Sequence, residues 1–240
     1  MKQRIWELDA FRGICVLGMV IVHFIYDLVE LYGLIDWQYP AAFSFVKNWG
    51  GVLFLLLSGT CATLGSRSVR RGVIVFGCGL VCSAVTAGMY LLGFSGRGII
   101  IWFGVLHCLG ICMMLWPLFR KLPMPNWALG NLGLLLVIVG LMLRRVTVEA
   151  PWLFPLGLTT ASFSSSDYFP LLPNLGFFLL GAALGRVLYR EKTTRLPNVN
   201  ADTPILRFLG FCGRASLPIY LLHQPVLSAL CLLLSLLCNR

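Results

Sequence analysis

AFRGICVLGMVIVHFIYDLVE, residues 10–30, is the stretch whose reading decides the fold. As an α-helix these 21 residues rise about 30 Å, the thickness of a bilayer's hydrocarbon core. The run is apolar except for Arg12, His23, Asp27 and Glu30. At 100° per residue, Arg12 and His23 lie about 20° apart, Asp27 follows His23 by one turn, and Glu30 and Asp9 fall close to the same line. These five side chains form one polar stripe, and a charged stripe facing lipid costs several kcal/mol. It must face protein or a wet cavity.

Six further apolar runs follow, at roughly 49–66, 72–93, 99–119, 128–145, 170–189 and 216–238. Only 12% of the 240 residues are charged while 58% are hydrophobic, against about 25% charged in soluble domains. The expected fold is therefore all-α, a polytopic transmembrane helix bundle of about seven spanning helices in a single domain, 1–240. The first run is expected to stay in place as a span, because no small-residue cleavage site follows it.

Arg and Lys fall unevenly between the two sets of loops. With the N-terminus inside, the inner segments carry 14 basic residues and the outer ones 5, including Lys47, Arg97, Arg144, Arg145 and Arg240. That asymmetry predicts a cytoplasmic N-terminus and an outer C-terminus in the cytoplasmic (plasma) membrane. The net charge of +10 is thus a topology signal, and no nucleic-acid partner is expected. The inner stretch 190–215 ends in Leu206, Phe208, Leu209 and Phe211, a pattern for a short interfacial helix. The outer stretch 146–169 holds Trp152, Phe154, Leu156, Leu158 and Phe163, too apolar for an aqueous loop. It is expected to fold back as a lid or to lie on the interface.

All three histidines, His23, His107 and His223, sit inside apolar runs. His23 is the candidate general base, with Asp27 one turn on to orient its ring. The alternative is a set of interhelical hydrogen bonds that hold the helices together. His107, flanked by Gly104 and Gly110, is a candidate for substrate binding, proton relay or structure. His223 shares a helix face with Ser216 and Tyr220 and adjoins Gln224. Pro218 and Pro225 free backbone carbonyls there, either to bond these polar side chains or to build a substrate site. Arg12 suits a phosphate or carboxylate at the inner mouth. Asp167, beside Tyr168, is a candidate for holding a sugar hydroxyl or amine, or for capping the sixth helix. Nine cysteines lack metal-ligand spacing and read as small buried hydrophobes, so no metal is expected. Soluble nucleotide-binding and hydrolase motifs are missing.

WELDAFRGICVLGMVIVHFIYDL (6–28), FLLLSGTC (54–61), FGVLHCLG (103–110), DYFPLLPNLGFFLLG (167–181) and LGFCGRASLPIYLLHQPV (209–226) together resemble bacterial proteins of the heparan-α-glucosaminide N-acetyltransferase catalytic-domain family. The Arg12-to-His23 spacing is also similar to the first helix of the O-antigen-acetylase type of membrane acyltransferase, where this histidine is taken as catalytic. The chain departs from the lysosomal members in FSFVKNWGG (43–51), which lacks their histidine. Asn174 stands where family members often have Trp.

The resemblance implies an acyl-CoA-dependent acetyltransferase. It takes an acetyl group from cytoplasmic acetyl-CoA and passes it to a sugar or amino-sugar acceptor on the outer face, with a mid-membrane histidine as base or acetyl carrier. His23, Asp27, His107 and His223 are then the catalytic candidates. Arg12, Arg70, Arg71 and Arg214 are the candidates for acetyl-CoA. Arg97, Asp167, Tyr168, Tyr220 and Gln224 are those for the acceptor. Self-association is left open. Two rival classes fit the same residues: a transporter or flippase for a small polar or lipid-linked solute, and a structural or sensory bundle.

Overall fold

The computed structural model describes residues 5–93 and 96–238, apart from the side chain of Cys238. Lys2, Arg4 and Arg240, which entered the charge count, lie outside the described residues. The described chain is helical, and its longest helices carry the apolar runs. These are α1 (Trp6–Tyr26), prolonged by a π-helical turn Asp27–Leu31, α2 (Ala41–Leu64), α3 (Ser68–Leu91), α4 (Val105–Lys121), α5 (Asn126–Leu143), α6 (Leu171–Leu188), α7 (Pro204–Arg214) and α8 (Ser216–Cys238).

Six of these, all but α4 and α7, are long and apolar enough to cross a membrane. α4, with 17 residues, rises about 26 Å and is shorter than its apolar run. Residues 97–104 instead form a 3-10 turn and extended chain. α2 begins eight residues before its expected start, because Ala41–Asn48 is an aromatic, polar first pair of turns that hydropathy alone passes over.

The chain forms two compact units, residues 1–54 with 193–240, and residues 55–192. In the first, α1 packs on α7 and α8. The α1–α7 crossing is backbone on backbone. A Cβ on Gly213 would overlap the carbonyl oxygen of Asp9, and one on Gly13 would overlap that of Leu209. Glycine at both positions lets the helices approach this closely. The short helix expected near residues 206–211 is therefore present, with one face on α1 and Ile205, Phe208 and Phe211 turned outward and exposed. Below the crossing, the Glu7 carboxylate accepts hydrogen bonds from the Thr194 hydroxyl and the Arg195 N–H, both at 2.8 Å. They tie the chain entering α7 to the start of α1.

In the second unit, α3 pairs with α4 and α5 with α6. α2 meets α6 through Gly59 and Gly181, whose Cβ atoms would overlap the carbonyl oxygens of Phe178 and Leu56. The Thr60 hydroxyl donates to the Gly181 carbonyl at 2.9 Å.

The apolar stretch 146–169 does fold back. The Tyr168 hydroxyl donates to the Phe154 carbonyl at 2.6 Å, and Phe169 N–H to the Phe103 carbonyl at 2.8 Å. Phe154 stacks on Phe163, Tyr168 tilts against Phe163, and Phe103 stands edge-on to Phe154. Trp152 and Leu156 stay exposed.

Candidate functional site

Within the first unit Asp9, His23 and Asp27 of the α1 stripe turn toward α7 and α8. At its lower end Arg12 pairs with Asp9 at 3.6 Å. Beside them a hollow of about 550 Å³ is lined by Trp6, Asp9, Asp202, Arg207 and Arg214 among others. Two carboxylates there offset two guanidinium groups, so the hollow is polar without being strongly cationic. It lies at the base of α1, where Asp9 is about 21 Å along the axis from His23.

At the upper end His23 faces α8. Its ring meets that of His223 edge to face, with centroids 4.9 Å apart and planes at 74°. His23 Nδ1 lies 2.9 Å from the Met19 carbonyl, and His223 Nδ1 lies 2.6 Å from the Tyr220 carbonyl. A carbonyl oxygen only accepts, so in both rings Nδ1 carries the proton. The lone pair of each neutral imidazole therefore resides on Nε2. His223 Nε2 is buried and has no hydrogen-bond partner among the described residues. The two helices thus present a pair of like tautomers, each pinned by its own backbone.

Asp27 does something other than the spacing suggested. Its carboxylate is fully buried and both oxygens accept from the Gln224 amide nitrogen at 2.9 Å. The Met19 carbonyl, rather than Asp27, holds the His23 ring. The reason is local: α1 becomes π-helical at Asp27, and a π-turn widens the helix and re-aims the side chains it carries. A second strut lies one turn further on, where the Tyr32 hydroxyl donates to the Ser228 carbonyl at 3.0 Å. The Gln224 carbonyl oxygen, like His223 Nε2, is buried and without a partner among the described residues. Two unanswered acceptors beside a buried carboxylate make a place for a hydrogen-bond donor. Tyr220 adds its ring at 5.5 Å from His223. The prolines act in part as expected. Pro225 frees the Leu221 carbonyl, yet the histidine takes the neighbouring Tyr220 carbonyl.

The second unit gives His107 a different setting. It is 3% exposed and stacks on Phe103 at 5.6 Å, with Phe76 edge-on at 5.3 Å. Its Nδ1 accepts the Gly104 N–H at 3.2 Å. Ser83, whose hydroxyl donates to the Ile101 carbonyl at 2.6 Å, receives Nε2–H at 3.4 Å. Both nitrogens are engaged and the tautomer is the opposite of that in His23 and His223. The partner Ser83 carried no sequence signal, since it lies 24 residues away on α3.

Asp167 is a cap, but of α4 rather than of α6. Its Oδ2 accepts the Val105 N–H at 3.0 Å, which satisfies one of the free donors at that helix start. Tyr168 is half-buried, and burial pushes its phenol up to about 12, with Arg144 opposing. Arg97, Arg70 and Arg71 are exposed. Arg70 and Arg71 open α3, where Arg120 also reaches across to the Gly65 carbonyl at 3.4 Å. Among the described residues, no group of three His, Cys, Asp or Glu side chains is arranged to hold a metal ion.

The sequence from residue 4 to residue 225 matches the family model described as heparan-alpha-glucosaminide N-acetyltransferase, catalytic. No curated protein and no solved structure matches the chain. The family match covers nearly the whole chain, and the apolar helices agree with it. The chain belongs to the heparan-alpha-glucosaminide N-acetyltransferase catalytic-domain family, and is of the membrane acetyltransferase class.

Proposed function

We propose that this protein moves an acetyl group from cytoplasmic acetyl-CoA to a sugar or amino-sugar acceptor at the outer face of the cytoplasmic membrane, with His23 as the working base. The observation that carries this reading is the tautomer of the His23–His223 pair. With Nδ1 tied to the Met19 carbonyl, His23 offers Nε2 as a base. It removes the proton from the acceptor's O–H or N–H as that atom attacks the thioester carbon. The carbon–sulfur bond breaks, and the imidazolium returns the proton to the departing thiolate. The products are the acetylated acceptor and CoA thiol. A covalent variant has Nε2 itself attack the thioester carbon and expel CoA thiolate; the acceptor then takes the acetyl group, its proton passes to the thiolate, and the imidazole is left neutral.

In either route His223 stands against the ring that gains charge. The Gln224 carbonyl oxygen and the Asp27 carboxylate receive the donor protons of the acceptor. Arg12 and Arg214 serve the phosphates of the donor from the base of α1. Arg70 and Arg71, at the start of α3, remain candidates for acetyl-CoA. Arg97, Asp167 and Tyr168 belong to the outer loops, where an acceptor would arrive. His107, with both nitrogens engaged, holds the α4 start in place rather than exchanging protons.

The test is acetyl-CoA consumption by the purified protein in proteoliposomes, followed as released thiol. Wild type is expected to release CoA in an acceptor-dependent manner, and His23→Ala to release none above background. Thiol release at wild-type rate by His23→Ala removes the histidine from the reaction. Movement of an acceptor across the membrane with no acetyl-CoA requirement would replace the enzyme reading with transport.

A further inference from the structure

The connection from α1 to α2 carries a cluster that the acetyl-transfer reading leaves unused. Lys47, on the second turn of α2, sets its ammonium 5.0 Å from the centroid of the Tyr26 ring and 4.9 Å from that of Tyr39. Tyr39 stacks on Phe43 at 5.0 Å, and Trp37 stands edge-on to both at 5.7 and 5.5 Å. The cation is thus held between two rings, one from the top of α1 and one from the connection, with two more aromatic rings behind. Burial, followed by the neighbouring Glu30 carboxylate, raises the Tyr39 phenol above its ordinary range. Tyr26, Trp37 and Lys47 are all exposed, so the box opens outward.

Aromatic faces are electron-rich and attract a desolvated cation, and a carboxylate beside them reinforces the preference. A clamp that only joined α1 to α2 would need apolar contact or one ion pair. Here two ring faces flank the ammonium, and Glu30 lies beside Tyr39. We propose that the box of Tyr26, Tyr39, Phe43, Trp37 and Glu30 is a binding site for a compact alkylammonium cation, closed at rest by the Lys47 side chain. The ligand displaces Lys47, whose long stem lets the ammonium swing into solvent. The shared chemistry has two sources, the choline or ethanolamine headgroup of a lipid and a free ammonium compound.

The experiment is calorimetric titration of the full chain in phosphatidylglycerol nanodiscs with choline and with its uncharged carbon analogue, in which tert-butyl replaces trimethylammonium. Choline is expected to bind and the analogue not to. Lys47→Ala is expected to tighten choline binding by about tenfold, since the tethered competitor is gone. Lys47→Met keeps the stem and loses the charge, and should show the same gain if the fold is intact. Tyr39→Leu should abolish binding in either background. Repeating the titration in phosphatidylcholine nanodiscs separates the sources: loss of the signal identifies the lipid headgroup, and its retention identifies a free ligand. Equal binding of choline and its analogue overturns the proposal. So does a lowered melting temperature in Lys47→Met with no gain in choline affinity, which leaves an intramolecular clamp only. Acetyl-CoA is absent throughout, so the outcome does not depend on the acetyl-transfer reading.

Discussion

The imidazole rings of His23 and His223 meet edge to face at 4.9 Å across α1 and α8, each with Nδ1 on a backbone carbonyl of its own helix. This arrangement leaves the lone pair of each neutral ring on Nε2. A base positioned in this way contributes about 10² to 10⁴ in rate.

His223 is therefore expected to act through His23. Replacing it with Phe keeps a ring in the contact but removes the nitrogens. kcat is expected to fall by about tenfold to a hundredfold, with the acetyl-CoA KM little changed. An unchanged melting temperature beside the lowered kcat separates this from damage to the fold. Wild-type kcat in His223→Phe contradicts the pairing.

Gln224→Leu removes the donor that both Asp27 oxygens share. It leaves a buried carboxylate unanswered, and unfolding in detergent should be easier by about 2 kcal/mol. Asp27→Asn in the same background should recover part of the loss, because an amide is far less costly to bury than an unpaired carboxylate. Unchanged thermal stability in Gln224→Leu would mean that the Asp27–Gln224 bonds contribute nothing to the α1–α8 contact.

Gly213→Leu drives a side chain into the Asp9 carbonyl at the α1–α7 crossing. The backbones must separate, and loss of the folded protein on size-exclusion chromatography is the expected result. Gly18→Leu, at a position with open space around a Cβ, should be tolerated and serves as the control.

The folded-back outer loop has a pH limit. Tyr168 ionises near pH 10 when the chain is unfolded and at about 12 in the folded protein. Between these values the unfolded state releases a proton that the folded state keeps. The stabilisation is complete below about pH 10 and is lost as pH rises to about 12. Tyr168→Phe should flatten the loss of stability in this window, and should cost about 1 kcal/mol at neutral pH for the bond to the Phe154 carbonyl. Identical alkaline unfolding of the two proteins would contradict the burial of Tyr168.

The apolar runs could be read from composition because a lipid-length helix needs only a stretch of apolar residues, which is local information. The α7 helix was also legible, since Leu206, Phe208, Leu209 and Phe211 repeat on a helical pattern. Its docking on α1 was not, because Gly213 and Gly13 are 200 residues apart and a glycine carries no hydropathy signal. The polar stripe of α1 was legible for the same reason as the spans. Its partners were not. Helical periodicity places Asp27 on the His23 face, but the π-turn and the amide of Gln224, 197 residues away, decide which group the carboxylate meets. Asp167 shows the same limit. A carboxylate shortly before a helix suggests a cap for that helix, yet the loop folds back and caps α4.

The central claim is that His23 Nε2 is the base of an acetyl-CoA-dependent transfer. The most direct measurement is single-turnover transfer from acetyl-CoA labelled in the acetyl group, comparing wild type with His23→Ala and His23→Gln in proteoliposomes of matched insertion. The account predicts labelled acceptor from wild type and a loss of at least about a hundredfold in both variants. Wild-type transfer by either variant would contradict it.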